Sequence, residues 1–143
     1  SLASMEYAVK VAGVKLVLVM GHTRCGAVTS SVELVDACRN AGDVTGCEHL
    51  QAIIDELEPS VKEIITRPLS DLSQEEIESL VDEVSRENVQ RTVDKVIARS
   101  SVIRSAVEAG QVKVTGALYD VKSGEIDFLD EDVLDPLPEA QSV

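Results

Sequence analysis

The sequence predicts an α/β protein with a mainly parallel central sheet flanked by helices. Three observations carry this. The core candidates are aliphatic and rich in Val, with only three aromatic residues, Tyr7, Tyr119 and Phe128, which suits strands buried on both faces. Short apolar runs bounded by turn residues alternate with longer segments of helical period. The chain, at 143 residues with a 44% hydrophobic share, is long enough for one well-formed core.

The elements follow in order. Residues 3–12 read as an amphipathic helix that ends at Gly13. Lys15–Met20 is a short apolar run, read as a buried strand. Residues from Gly26 to about Ala41 read as a helix, with Ala27, Val28, Val32, Leu34 and Val35 on its apolar side and Asn40 and Gly42 stopping it. Thr45-Gly46-Cys47-Glu48 has the form of a capping box opening the next helix. That helix carries Leu50, Ile53, Ile54, Leu57, Val61, Ile64 and Ile65 at a 3.6-residue period. Pro59 is expected to kink or restart it, and Pro68 to end the segment.

A second capping box, Ser73-Gln74-Glu75-Glu76, opens a long helix. One stripe of this helix is Ile77, Leu80, Val81 and Val84; another is Val89, Val93, Val96 and Ile97. The stripes are out of register near Arg86, where a bend or restart is expected. Ser101–Ala109 is helical, stopped by Gly110. Val112–Leu118 reads as a strand, and Tyr119–Phe128 as a strand, a Ser123-Gly124 turn and a returning strand. From Asp130 the chain is acidic, with Pro136 and Pro138, and reads as a loose tail. Residues 1–129 are thus expected to form one domain, and 130–143 a tail. The helical reading at the very start gives a chain expected to begin in mid-fold.

A net charge of −13 argues against nucleic acid and against an anionic membrane surface. No apolar run is long enough for membrane insertion, and the first residues lack a signal-peptide pattern. The three cysteines, Cys25, Cys38 and Cys47, are no disulfide framework. A reducing, cytoplasmic setting is expected.

The chemistry concentrates at His22-Thr23-Arg24-Cys25, where the first strand meets a helix. Imidazole and thiolate are favoured zinc donors, and a strand-to-helix turn can aim both at one point. Cys25 at a helix N-terminus also suits a nucleophile. A cysteine phosphatase would need an Arg about six residues on, and position 31 is Ser. A disulfide oxidoreductase would need a second Cys where His22 stands. The structural alternative is that His22 closes a turn and Cys25 fills a small apolar space. Cys47 and His49 are a weaker pair, two apart and so on different faces of a helix start. Cys38 is expected to pack against a neighbouring helix.

His22-Thr23-Arg24-Cys25-Gly26-Ala27-Val28 after an apolar strand resembles the second zinc-ligand motif of the β-class carbonic anhydrases. Ser4–Val9 resembles the helix before that strand. Glu87-Asn88-Val89-Gln90-Arg91-Thr92-Val93 resembles the family's Asn-Val-x-x-Thr-Val segment. Gly110–Asp120 resembles its last core strand, followed by the Ser123-Gly124 hairpin. The resemblance covers residues 1–129.

It implies a zinc lyase that interconverts carbon dioxide and bicarbonate, with His22 and Cys25 as the second and third protein ligands and a dimeric or higher homo-oligomeric assembly. The family's first ligand lies in a Cys-x-Asp-Ser-Arg segment that also carries the Asp–Arg pair orienting the reactive water. That segment does not occur in this sequence, nor do the sheet strands around it. Activity of this chain by itself is therefore expected to be impaired. A separate N-terminal piece of the same domain is one expected partner; a non-catalytic binding or oligomerisation module is the alternative.

Overall fold

The computed structural model describes residues 2–130. The elements are α1 (Leu2–Lys10), β1 (Leu16–His22), α2 (Gly26–Asp36), α3 (Ala41–Thr45), α4 (Gln51–Ile64), α5 (Gln74–Arg99), α6 (Ser101–Glu108), β2 (Lys113–Tyr119) and β3 (Ile126–Phe128), with 3-10 turns at Glu48–Leu50 and Leu69–Asp71. Among the described residues the strands form one sheet in the order β1-β2-β3. β1 and β2 are parallel, and β3 returns antiparallel. The α/β expectation holds, and no described helix is long and apolar enough to cross a membrane. The expected tail from 130 lies, beyond Asp130 itself, outside the described residues.

Two compact units are present. One contains the described residues up to Gly21, Val89–Leu118 and those from Ile126 onward; the other contains His22–Asn88 and Tyr119–Glu125. In the first unit, Val89, Val93 and Val96 of α5, Ile103 and Ala106 of α6, and Val112, Ala117 and Leu118 are buried. The Ser100 hydroxyl caps α6 by accepting the Ile103 N–H (3.1 Å) and donates to Glu6 Oε1 on α1 (2.6 Å), a half-buried tie between the two helices. The Leu129 N–H donates to Gly116 O (2.9 Å), which sets the return of the chain beside β2. In the second unit α2 packs on α4. Its core is Val28, Val32, Leu57, Val61, Val81 and Val84, with a smaller cluster of Leu34, Ala41 and Ile54.

Several expectations need correction. β1 is a strand but not a buried one: burial alternates along it, and Leu16, Leu18 and Met20 are exposed. Its continuous apolar run resembles a fully covered parallel strand, yet only the face bearing Val17, Val19 and Gly21 is half-buried here. α2 ends at Asp36, where Ala37 caps it and Cys38 turns left-handed (φ 51°). Asn40, expected to stop that helix, instead caps α3 by accepting the Gly42 N–H.

Thr45 does not open a capping box. It ends α3, its hydroxyl donating to Ala41 O, and Gly46 closes the helix at φ 73°. α4 runs through Pro59 without restarting. α5 is unbroken at Arg86; its two apolar stripes face two different partners, since Val81 and Val84 belong to one compact unit and Val89, Val93 and Val96 to the other. β2 continues through Tyr119 as one strand. The second capping box is as expected: the Ser73 N–H donates to Glu76 Oε2 (2.7 Å), and the Glu76 N–H to Ser73 Oγ (3.3 Å).

Candidate metal centre

His22 is the last residue of β1 and Cys25 the residue that caps α2, so Thr23 and Arg24 alone join strand to helix. The sequence dictates this local geometry. The β-forming run Leu16–Met20 ends in Gly21 and His22, and Gly26-Ala27-Val28 begins a helix whose first turn contains no competing side-chain cap.

His22 is exposed, and its Nδ1 lies 3.0 Å from Thr23 O. A carbonyl oxygen only accepts, so Nδ1 is the donor in this bond and Nε2 is the nitrogen left for a metal. Cys25 is half-buried with extended backbone (φ −67°, ψ 118°), and its side chain caps nothing. The Cys25 carbonyl accepts the Thr29 N–H (2.9 Å) and hydroxyl (3.1 Å), which fixes the first turn of α2. The residue stands at the positive end of an eleven-residue helix, an electrostatic setting that suits an anionic ligand.

The joining residues are held from two directions. The Thr23 N–H donates to Tyr119 O (2.9 Å), and Thr23 Oγ1 accepts the Val121 N–H (3.1 Å). Arg24 adopts the left-handed region (φ 55°), unusual for a residue with a Cβ. Its N–H donates to Asp82 Oδ1 (2.7 Å), and its guanidinium pairs with Glu78 (3.1 Å), one helical turn earlier on α5. A cleft of about 220 Å³ opens beside this pair, lined by Arg24, Thr29, Gln74, Ile77, Glu78 and Val81.

Downstream, Asp120 accepts the N–H groups of Ser123 and Lys122. These bonds, with smaller contributions from the charges of Lys122 and Arg24, hold its carboxyl below the ordinary carboxylate range.

Both parts of the structural alternative are also visible. His22 does close the turn, and Cys25 does pack against the Val28–Val84 cluster. Neither uses up the donor atoms a metal needs. The pair suits zinc in kind, one imidazole nitrogen and one thiolate. It is incomplete in number: among the described residues no group of three or more His, Cys, Asp or Glu could hold a metal.

The weaker candidates do not complete it. Cys47 and His49 are exposed, and Cys47 Sγ faces Thr45 O at 3.8 Å. Cys38, expected to pack against a helix, is exposed instead, because the chain turns left-handed there just beyond α2.

A family model described as carbonic anhydrase matches residues 1–126. The chain belongs to the β-class carbonic anhydrase family. Among curated carbonic anhydrases, it is 32% identical over 123 residues to carbonic anhydrase 2 of Mycobacterium tuberculosis, covering 86% of this chain and 53% of that protein. It is 32% identical over 128 residues to carbonic anhydrase 1 of Escherichia coli O157:H7, covering 90% and 52%.

Among solved structures, the β-carbonic anhydrase CafA of Aspergillus fumigatus superposes with a TM-score of 0.71 at 26% identity, over 90% of this chain and 54% of that one. A tetrameric β-carbonic anhydrase of Sordaria macrospora gives 0.69 at 24%, over 89% and 58%. The chain thus spans about half the length of the curated carbonic anhydrases it matches.

Asp82, Glu78, Tyr119 and Val121 hold the two joining residues of the candidate site and carry no mark of it in the sequence. Their partners are 54 to 98 positions away (Arg24 to Glu78 the nearest, Thr23 to Val121 the farthest), and no local spacing signals them.

Proposed function

We propose that His22 and Cys25 are two protein ligands of a zinc centre, and that the domain to which this chain belongs catalyses the reversible hydration of carbon dioxide to bicarbonate. The observation that supports this most is His22, with Nδ1 engaged by Thr23 O, three residues before a free Cys25 thiol at the mouth of a helix, in a chain of this family. Zinc, when bound, supplies a Lewis acid that activates water at neutral pH. The protein's share is positional. His22 presents Nε2, Cys25 supplies a thiolate, and the Thr23 and Arg24 bonds keep the two donors from drifting apart.

The third ligand and the Asp–Arg pair expected from the resemblance would come from a Cys-x-Asp-Ser-Arg segment. In this reading that segment belongs to a separate polypeptide or to another part of the same protein, and the 143 residues by themselves hydrate carbon dioxide poorly. We further propose a homodimer or larger assembly and a cytoplasmic setting. Residues 1–129 act as the carbonic anhydrase-like unit.

A second reading, a non-catalytic oligomerisation module, is favoured by the exposed row Leu16, Leu18 and Met20 on β1. The two readings separate on metal content. Zinc per chain is measured after purification under reducing conditions, and carbon dioxide hydration by stopped flow, each with and without a supplied Cys-x-Asp-Ser-Arg segment. Stoichiometric zinc that is lost in His22→Ala and in Cys25→Ser supports the zinc reading. A folded, complemented protein that takes up no zinc refutes it.

A further inference from the structure

We propose that Asp82 is a positioning residue for the metal centre: by accepting the Arg24 N–H it holds the two-residue link between His22 and Cys25 in its left-handed turn, and so sets how the two donors converge. This rests on the zinc reading of His22 and Cys25.

Four observations carry it. Arg24 lies at φ 55°, a conformation a side-chain-bearing residue does not choose by itself. The bond that stabilises it runs from main chain to carboxylate at 2.7 Å, a charge-assisted contact of the strong kind. It comes from α5, 58 positions away, so the turn is fixed by a rigid helix rather than by its own loop. The guanidinium is engaged separately by Glu78. The Asp82 contact therefore acts on backbone shape and not on Arg24 charge.

Thr23, the other joining residue, is already anchored by Tyr119 and Val121. Release of Arg24 would then leave the Cys25 end of the link free to swing while the His22 end stays fixed. A chelating pair is sensitive to such a change, because outer partners of metal ligands typically govern affinity by about 10–100-fold.

The test uses the full 143-residue chain complemented with the Cys-x-Asp-Ser-Arg segment, under reducing conditions, with Co²⁺ as the probe and Zn²⁺ by competition. The part of the thiolate-to-cobalt charge-transfer band that is absent in Cys25→Ser reports ligation by Cys25, since Cys38 and Cys47 are also free thiols. Asp82→Ala is expected to weaken metal binding about tenfold or more and to diminish that band. Asp82→Asn keeps an acceptor oxygen and is expected to bind within about threefold of the parent.

Arg24→Gly retains the N–H but enters the left-handed region freely. The double variant Arg24→Gly/Asp82→Ala is therefore expected to regain most of the lost affinity. Should Asp82→Ala fail to fold, Asp82→Glu takes its place, since it keeps helix and charge while moving the carboxylate by one methylene; weakened binding is again expected. Unchanged affinity and band in a folded Asp82→Ala or Asp82→Glu overturns the proposal. So does a loss that Arg24→Gly does not repair, which marks Asp82 as merely structural. Failure of the zinc reading looks different: the parent then binds no more metal than His22→Ala or Cys25→Ser, whatever stands at position 82, and the proposal falls with it.

Discussion

Gly116 tests how closely β2 and α5 approach. It is buried in the middle of β2, and a Cβ built there would lie 2.5 Å from Val89 Cγ1 and 2.6 Å from Leu129 Cδ1. Carbon atoms rest at about 3.5–4.0 Å, so each neighbour must give by roughly 1 Å. The two are not equally able to move. Leu129 meets the new methyl with the end of a flexible chain. Val89 is 3% exposed and sits on a helix, where a β-branched side chain has essentially one χ1 setting. Overpacking of this kind costs about 1–3 kcal/mol. Against it stands a gain of about 0.4–1 kcal/mol from removing glycine's freedom in the unfolded chain.

Gly116→Ala is therefore expected to destabilise by about 1–2 kcal/mol, or roughly 3–6 °C in Tm at this chain length. Urea unfolding of Gly116→Ala, Val89→Ala and the double variant closes a cycle. The double is expected to be more stable than the sum of the singles by about 1 kcal/mol, because the new methyl occupies the space that Val89 vacates. The same cycle with Leu129→Ala should show weaker coupling. A neutral or stabilising Gly116→Ala, or strict additivity with Val89→Ala, would refute the steric argument.

Two further outcomes follow from single side chains. Ser60 in α4 is fully buried, and its hydroxyl has no partner among the described residues. Ser60→Ala removes that penalty and is expected to stabilise by about 1 kcal/mol, read as a higher urea midpoint at unchanged slope; a lower midpoint contradicts it. Glu76 and Asp120 both have carboxyls held below their ordinary 4.5 and 3.8, the first chiefly by Ser73 and the second by the Ser123 and Lys122 N–H groups. The folded chain thus binds fewer protons than the unfolded one. Their contribution is full above those ordinary values and is lost as pH falls through the lowered ones. Glu76→Gln and Asp120→Asn should each flatten the acid limb of a stability–pH curve below about pH 5 and leave its shape near pH 7 unchanged.

What the sequence made legible was local. His22 and Cys25 could be picked out because both donors fall within four residues, and the Ser73–Glu76 box because its two bonds are reciprocal at fixed spacing. Gly110 and Gly124 mark turns that need positive φ, and both have it. The misreadings have long-range causes. Val17, Val19, Leu16 and Leu18 are alike in sequence, and only the fold decides which face is covered. The shifted stripes of α5 looked like a break because one helix serving two cores produces the same pattern as two helices. Thr45 has the residue type of a cap, but Gly46 had already ended the preceding helix. Asp82 was invisible because it acts by receiving a main-chain N–H from a residue 58 positions away.

The uncovered side of β1 has a consequence for how the protein behaves in solution. Among the described residues β1 pairs only with β2, and its exposed Leu16, Leu18 and Met20 form the kind of strand that recruits other chains. The net charge of −13 opposes such encounters by mutual repulsion, which salt screens within about 8 Å at physiological ionic strength. Colloidal stability and chain acidity are thus coupled. Dilute buffer is expected to keep molecules apart, and added salt to weaken that repulsion and let exposed β1 strands meet. Light scattering should rise with ionic strength and fall back in Leu18→Lys, a surface change that leaves the His22–Cys25 turn untouched.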